Sequence, residues 1–343
     1  MKIEQSDFGK TGDGHEVQVC QLTNNNGVSI SVINFGAPLI SVKTPDKSGN
    51  VEEITIGPRN VADCENRGGF FGATVGRVAN RIAAGKFSID SQQFQLVKNE
   101  REVNHLHGGT KGISKVLWNM KTVESSAGAT VICNYLSKDG EDGYPGNLNV
   151  TVGYTLTSDN ELIIDYNATV DKTCPVNLTN HAYWNLSGEK KDNILGHELN
   201  LVCDSYLPVD ENLIPTGEFK TVEGTPFDFR TTKPVGKDLE MAGGFDHCYV
   251  IRKERGECMK IAEVHDPVSG RLMSVSTTEP GVQFYSGNFL HRFEDFGFQK
   301  YDALCLEAQC FPDAVNQANF PSILLSPGEI YQQRTLHRFD IRD

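Results

Sequence analysis

His181 stands in the run Pro175-Val176-Asn177-Leu178-Thr179-Asn180-His181-Ala182-Tyr183-Trp184-Asn185-Leu186, where amides and aromatic rings surround one titratable imidazole. The unperturbed pKa of such a ring lies near neutrality, so it can pass a proton in either direction at physiological pH. Amides and aromatic faces are what a protein presents to a neutral polyol. The alternative is a histidine satisfied within the core, and Asn177, Asn180, Tyr183 and Asn185 would then each need a buried partner. A carboxylate occurs in a comparable setting at Glu307, after Leu304-Cys305-Leu306 and before Ala308-Gln309-Cys310-Phe311-Pro312-Asp313-Ala314-Val315-Asn316. The apolar trio predicts a buried strand, where an unpaired charge is expensive. Glu307 is therefore either ion-paired for structure or kept for chemistry, and partial burial would raise its pKa and improve it as a base. Together the two runs suggest acid–base chemistry on a sugar.

Other segments have the same character. Phe71-Gly72-Ala73-Thr74-Val75-Gly76-Arg77-Val78-Ala79-Asn80-Arg81-Ile82 sets two arginines four apart, and Arg77 reads as the partner of a surface carboxylate. Asn104-His105-Leu106-His107-Gly108-Gly109 spaces two histidines so that in a strand both point the same way. Such a pair can be half of a metal site, but further ligands at a matching spacing are not evident, and no metal is expected. The double glycine lets the backbone turn or approach a ligand closely. Gly243-Gly244-Phe245-Asp246-His247 is a glycine-rich turn carrying an acid, by itself an Asx-type turn. Pro280-Gly281-Val282-Gln283-Phe284-Tyr285-Ser286-Gly287-Asn288 suits a sugar or a well-satisfied loop. Nucleotide-binding loops and a serine nucleophile elbow have no counterpart in the chain.

The elements that must hold these residues are strands. Val28 to Ile33 alternates as a half-buried strand should. Phe87 to Asp90 and Phe94 to Leu96 repeat the pattern, Val150 to Tyr154 and Leu162 to Tyr166 flank a turn at 158–160, and Ile261 to Val264 and Leu272 to Val275 flank another at 266–270. Helical signals are confined to Val61 to Asn66 and a turn before Asp238. The 33 glycines and 14 prolines supply the turns of an all-β design, and no linker divides the 343 residues, so 1–343 reads as a single antiparallel β-sandwich domain. A net charge of −13 repels phosphate backbones and anionic lipid, which argues against nucleic-acid and membrane partners. No apolar run approaches the roughly 18 residues of a membrane span, and Met1 to Asp7 lacks the apolar core of a signal peptide. Nine cysteines without a C-x-x-C pair then read as reduced thiols of a cytoplasmic protein. No obligate protein partner is evident.

The runs G-R-V-A-N-R-I at 76–82, H-G-G at 107–109, G-Y-P-G at 143–146, N-L-T-N-H at 177–181, Y-L-P-V-D at 206–210, I-P-T-G at 214–217, F-D-H at 245–247, G-V-Q-F-Y at 281–285 and P-D-A-V-N at 312–316, in this order, resemble the aldose 1-epimerases, or galactose mutarotases. The resemblance runs from about Gly36 to Pro327. It implies a large antiparallel β-supersandwich with few short helices and interconversion of the α and β anomers of free aldoses such as galactose and glucose, without a cofactor. The family's general acid falls on His181 and its general base on Glu307. Its sugar-binding residues fall on Asn80, Arg81, His107, Asp246 and Gln283, with Tyr183 as a further wall. His105, Ala182 and Trp184 depart from the residues common in the family.

On this reading Glu307 would be ionised at pH 7 even if raised by one or two units, and roughly a quarter of His181 would be protonated, more if a carboxylate lay near. Two rivals remain from other classes. A non-catalytic sugar-binding module would dispense with Glu307 or His181. A glycoside hydrolase would use Glu307 and Asp246 as its carboxylate pair.

Overall fold

The computed structural model describes the chain except residues 67 and 252–255 and the side chains of 294 and 295. Three antiparallel sheets carry the fold. The first joins Lys2–Lys10, Glu16–Thr23, Ser29–Ile33, Leu39–Pro45 and Val51–Glu53 in chain order. The largest has nine strands, running from Asn119–Ser125 through Gly128–Ser137, Leu148–Thr157, Glu161–Val170, Tyr331–Ile341, Arg271–Thr277, Met259–His265 and Glu198–Leu201 to Lys233–Pro234. The third is ordered Lys220–Thr221, Ser205–Tyr206, Asp246–Val250, Gly281–Tyr285, Cys305–Gln309.

One contiguous apolar cluster ties the sheets together. Leu22, Ile30 and Val42 of the first, Val152, Ile164 and Val275 of the second and Tyr249, Phe284 and Leu306 of the third all belong to it. The half-buried alternation expected of a sheet with one wet face is clearest in Tyr331–Ile341, where alternate residues from Tyr331 to Phe339 are buried. Ser29–Ile33 differs from expectation: all five residues are buried. Its serines face inward as well, so the alternation in sequence marks two covered faces of unlike polarity rather than one wet face.

Both predicted hairpins form, pairing Leu156 with Leu162 and His265 with Leu272 next to their turns, and a strand pair joins Lys86–Ile89 to Gln92–Gln95. Helix is confined to short pieces. Val61–Asn66 is helical as expected, whereas the second short helix, Leu239–Ala242, follows Asp238 rather than preceding it. Among the described residues no helix is long and apolar enough to cross a membrane. All nine cysteines are thiols outside any disulfide, and seven are buried.

Candidate active site

The third sheet sets the site by register. Asp246 pairs with Tyr285, which pairs with Cys305; Cys248 pairs with Gln283, which pairs with Glu307. Directly opposed residues in a ladder share a face, and residues two apart in a strand share it too. Asp246, Gln283, Cys305 and Glu307 therefore project together, and Gln283 Nε2 donates to Asp246 Oδ1 at 2.7 Å. Asp246 thus opens a strand, where the glycines ahead of it suggested an Asx turn.

Cys305–Gln309 is the last strand of its sheet, and the segment 177–184 closes its free edge, largely with side chains. The Asn177 amide donates to Cys310 O at 3.2 Å and accepts from Cys310 N–H at 2.8 Å, while Thr179 Oγ1 donates to Ala308 O at 2.9 Å. Trp184 and Leu304 exchange main-chain bonds of 2.7 and 2.9 Å. The Asn177 amide is thus spent on an edge strand that would otherwise expose its polar groups, while the Asn180 amide donates to Gly72 O and the Asn185 amide to the carbonyls of Asp192 and Asp302. Between these clamps His181 reaches Glu307, with Nε2 3.6 Å from Oε1. Tyr183 stacks on the ring at 4.9 Å and anchors its hydroxyl on Gly69 O at 2.8 Å. Phe70 lies 4.7 Å from His107 and 6.2 Å from His181, centroid to centroid.

Asn80 and His107 are both left-handed, with φ of 61° and 50°. His107 N–H donates to Asn80 O at 3.0 Å, and Asn80 N–H donates to His107 Nδ1 at 3.2 Å. Nδ1 is thereby an acceptor, so the neutral ring carries its hydrogen on Nε2. Arg81 is gripped by Glu100 through both carboxylate oxygens at 2.7–3.1 Å, a bidentate geometry that fixes its plane.

Burial decides the charges. It pushes the Glu307 carboxyl well above the ordinary range; the neighbouring Asp246 charge adds to this and Arg81 opposes it. Burial lowers His181 to about 4, its own main-chain carbonyl working weakly the other way. Burial also opposes the Arg81 charge, but Glu100 bonded to it and Asp246 nearby more than compensate, holding it above its ordinary pKa. The expected protonated fraction of His181 at neutral pH is therefore corrected downward, and the ionisation expected of Glu307 is opposed by its burial. Burial disfavours every uncompensated charge, so the environment shifts the proton shared by this pair toward Glu307 and away from His181.

A cavity of about 340 Å³ is lined by Asn80, Arg81, His107, His181, Tyr183, Asp246 and Glu307. Gln283 lies beneath it, acting through Asp246. An equal cavity adjoins across Phe70, Asn99 and Glu100, but its lining holds neither His181 nor Glu307. Ligand atoms of His107, His181 and Glu307 come within 4.8 Å of one another, close enough to suggest a cation. The Nε2–H that Asn80 imposes on His107 suits a hydroxyl oxygen and not a metal ion, which needs the lone pair.

The aldose 1-epimerase family model matches residues 18–338. The chain belongs to the aldose 1-epimerase family. Within the family it is 42% identical to a galactose mutarotase of Homo sapiens over 348 aligned residues, covering 99% of each chain. It is 38% identical to an aldose 1-epimerase of Escherichia coli strain K12, over 95% of this chain and 96% of that one. A crystal structure of a galactose 1-epimerase from Lactobacillus acidophilus superposes with a TM-score of 0.86 at 28% identity, covering 100% of this chain and 99% of that one.

Against this family background the structure adds and corrects residues. Glu100, Phe70 and Tyr285 join the lining without having been singled out; Glu100 lies outside every recognised run, and only the buried charge of Arg81 demanded such a partner. Arg77 meets no surface carboxylate. It is buried, and it donates to the carbonyls of Ser137, Lys138, Pro145 and Gly146 and to Ser137 Oγ at 2.8–3.1 Å. His105 and His107 part company because the strand ends at Leu106. His105 bonds Val97 O and Tyr144 Oη at 2.7 Å each, a structural role that leaves it no part in a metal site.

Proposed function

We propose that this chain is an aldose 1-epimerase that interconverts the α and β anomers of free aldohexoses such as D-galactose and D-glucose, with Glu307 and His181 as base and acid. The observation that carries this reading is the 3.6 Å approach of His181 Nε2 to Glu307 Oε1, two buried side chains lining a cavity of sugar size.

In the reacting form the shared proton sits on His181 and Glu307 is ionised. Glu307 takes the proton from the anomeric hydroxyl, C1–O1 becomes the aldehyde, the C1–O5 bond breaks, and the imidazolium Nε2–H protonates O5. Rotation about C1–C2 presents the other carbonyl face. The hydroxyl at O5 then closes the ring, its proton returning to His181 while Glu307 reprotonates O1. Proton transfer by each positioned group contributes typically about 10²–10⁴-fold. No cofactor enters this sequence. His107 Nε2–H and Arg81 hold hydroxyl oxygens and offset negative charge developing on oxygen, Asp246 accepts from ring hydroxyls, Gln283 holds Asp246, Asn80 holds both His107 and Arg81, and Tyr183 walls the site. We read residues 1–343 as one domain acting in the cytoplasm on free sugar, without nucleic acid, membrane or an obligate protein partner.

Polarimetry on freshly dissolved α-D-galactose and α-D-glucose tests the activity directly, and equilibration no faster than in buffer would reject it. Glu307→Gln and His181→Asn should each lower turnover by about 10² or more, with sugar binding by calorimetry retained.

A further inference from the structure

Cys305 and Glu307 lie two residues apart in Cys305–Gln309, so both side chains leave the strand on the same face. The His181 ring spans them. Its Nε2 faces Glu307 Oε1 at 3.6 Å, and its Nδ1 faces Cys305 Sγ at 3.6 Å, within reach of a hydrogen bond to sulfur. Cys305 has no exposed surface and is no part of the cavity lining.

Proton counting shows what Nδ1 carries. With a proton on Glu307 and its O–H turned toward the Nε2 lone pair, the neutral ring's one hydrogen would be on Nδ1. With the shared proton on Nε2, the ring is an imidazolium and bears hydrogen on both nitrogens. In both states Nδ1 is a donor, and it needs an acceptor that does not move.

We propose that Cys305 is a positioning residue whose neutral Sγ accepts the Nδ1–H of His181, aiming Nε2 at Glu307 and the sugar ring oxygen without stabilising the imidazolium by charge. The proposal rests on the acid–base roles given above. A carboxylate at Nδ1, the arrangement in serine hydrolases, orients an imidazole but also stabilises its cation. Here the cation must surrender its proton to an ether-type oxygen, a poor base, so an acid that is not propped up is the better donor. Burial raises the thiol well above its ordinary pKa, which keeps the sulfur neutral. The other titratable side chains at the ring are Glu307, which faces Nε2, and His107 and Tyr183, whose rings pack on it.

The test combines kinetics with ¹⁵N NMR of the full-length protein labelled at histidine. In the unmodified protein the neutral His181 ring should be protonated at Nδ1. Cys305→Ala should lower kcat about tenfold, a typical effect for a group that orients a reacting side chain, with KM within about twofold and a mixture of tautomers. Cys305→Ser, which keeps a small neutral acceptor, should recover kcat to within about threefold and restore the Nδ1-protonated ring. A wild-type ring protonated at Nε2 would overturn the assignment whether or not the variants fold. So would Cys305→Ala with wild-type kcat and tautomer, since the main-chain carbonyl of His181 would then suffice to hold the ring. Wild-type turnover in Glu307→Gln is a separate outcome that removes the underlying acid–base reading as well.

Discussion

Burial works in opposite directions on Glu307 and His181: it raises the carboxyl well above its ordinary range and lowers the imidazole to about 4. A carboxyl that holds its proton beside a neutral imidazole is the pattern left behind when the sugar ring opens, so the site favours the charge distribution of the open-chain state. The reacting pattern, carboxylate with imidazolium, is the minor one, but it joins a stronger base to a stronger acid than either group is in water. The rate should therefore be bell-shaped in pH. As pH falls through about 4 a second proton binds and no base remains; as pH rises through the elevated Glu307 value the shared proton is lost and no acid remains. Turnover measured from pH 3.5 to 10 should have its acid limb near pH 4, and a single rise near pH 6.5, the signature of an unperturbed histidine, would contradict this arrangement.

At the scale of elements, the sheet register sets the separations among Asp246, Gln283, Cys305 and Glu307, while turns bring in His107 and Arg81. Gln283→Leu removes the donor to Asp246 and should raise KM several-fold with kcat largely retained, because Asp246 orients sugar and moves no proton. Gly108 shows how tightly the turn is drawn: its φ is +85°, and a Cβ there would lie 1.7 Å from Gly76 O. Gly108→Ala should destabilise the protein by more than about 1 kcal/mol in urea unfolding and, by moving His107, weaken sugar binding. The strands and turns that present these residues were largely legible, since alternation and turn chemistry are local. The partner of Arg81 was not, because Glu100 is brought to it by folding and carries no local pattern. Nor was the two-sided burial of Ser29–Ile33, which depends on what packs over it.

For the whole molecule, the eight residues picked out by ordered motifs converge on one cavity or directly beneath it, because order along the chain constrains topology. Their protonation did not follow from the motifs, since a pKa depends on burial from all sides. That burial extends beyond the site: His197 and His337 are also lowered to about 4, by burial above all. Each of the three histidines binds a proton in the unfolded chain below about pH 6.5 that the folded state refuses until about pH 4, so stability falls as pH drops through that window. Glu307 and Asp313, raised by folding, work against the trend, while His105, His107 and His247, also lowered by burial, add to it. Melting temperature should thus decline from pH 7 toward pH 4. His337→Phe, which keeps the ring packing on Trp184, should flatten the slope by about one proton; an unchanged slope would remove His337 from this account.

The clamp between Asn177 and Cys310 joins residues 133 positions apart, and His181 meets Cys305 across 124. Contacts this distant in sequence carry a large loop-closure cost and come late when a chain refolds from denaturant. Secondary structure can therefore return before the acid and base meet, and regain of mutarotation becomes a clock for the final closure of the chain, readable without any label.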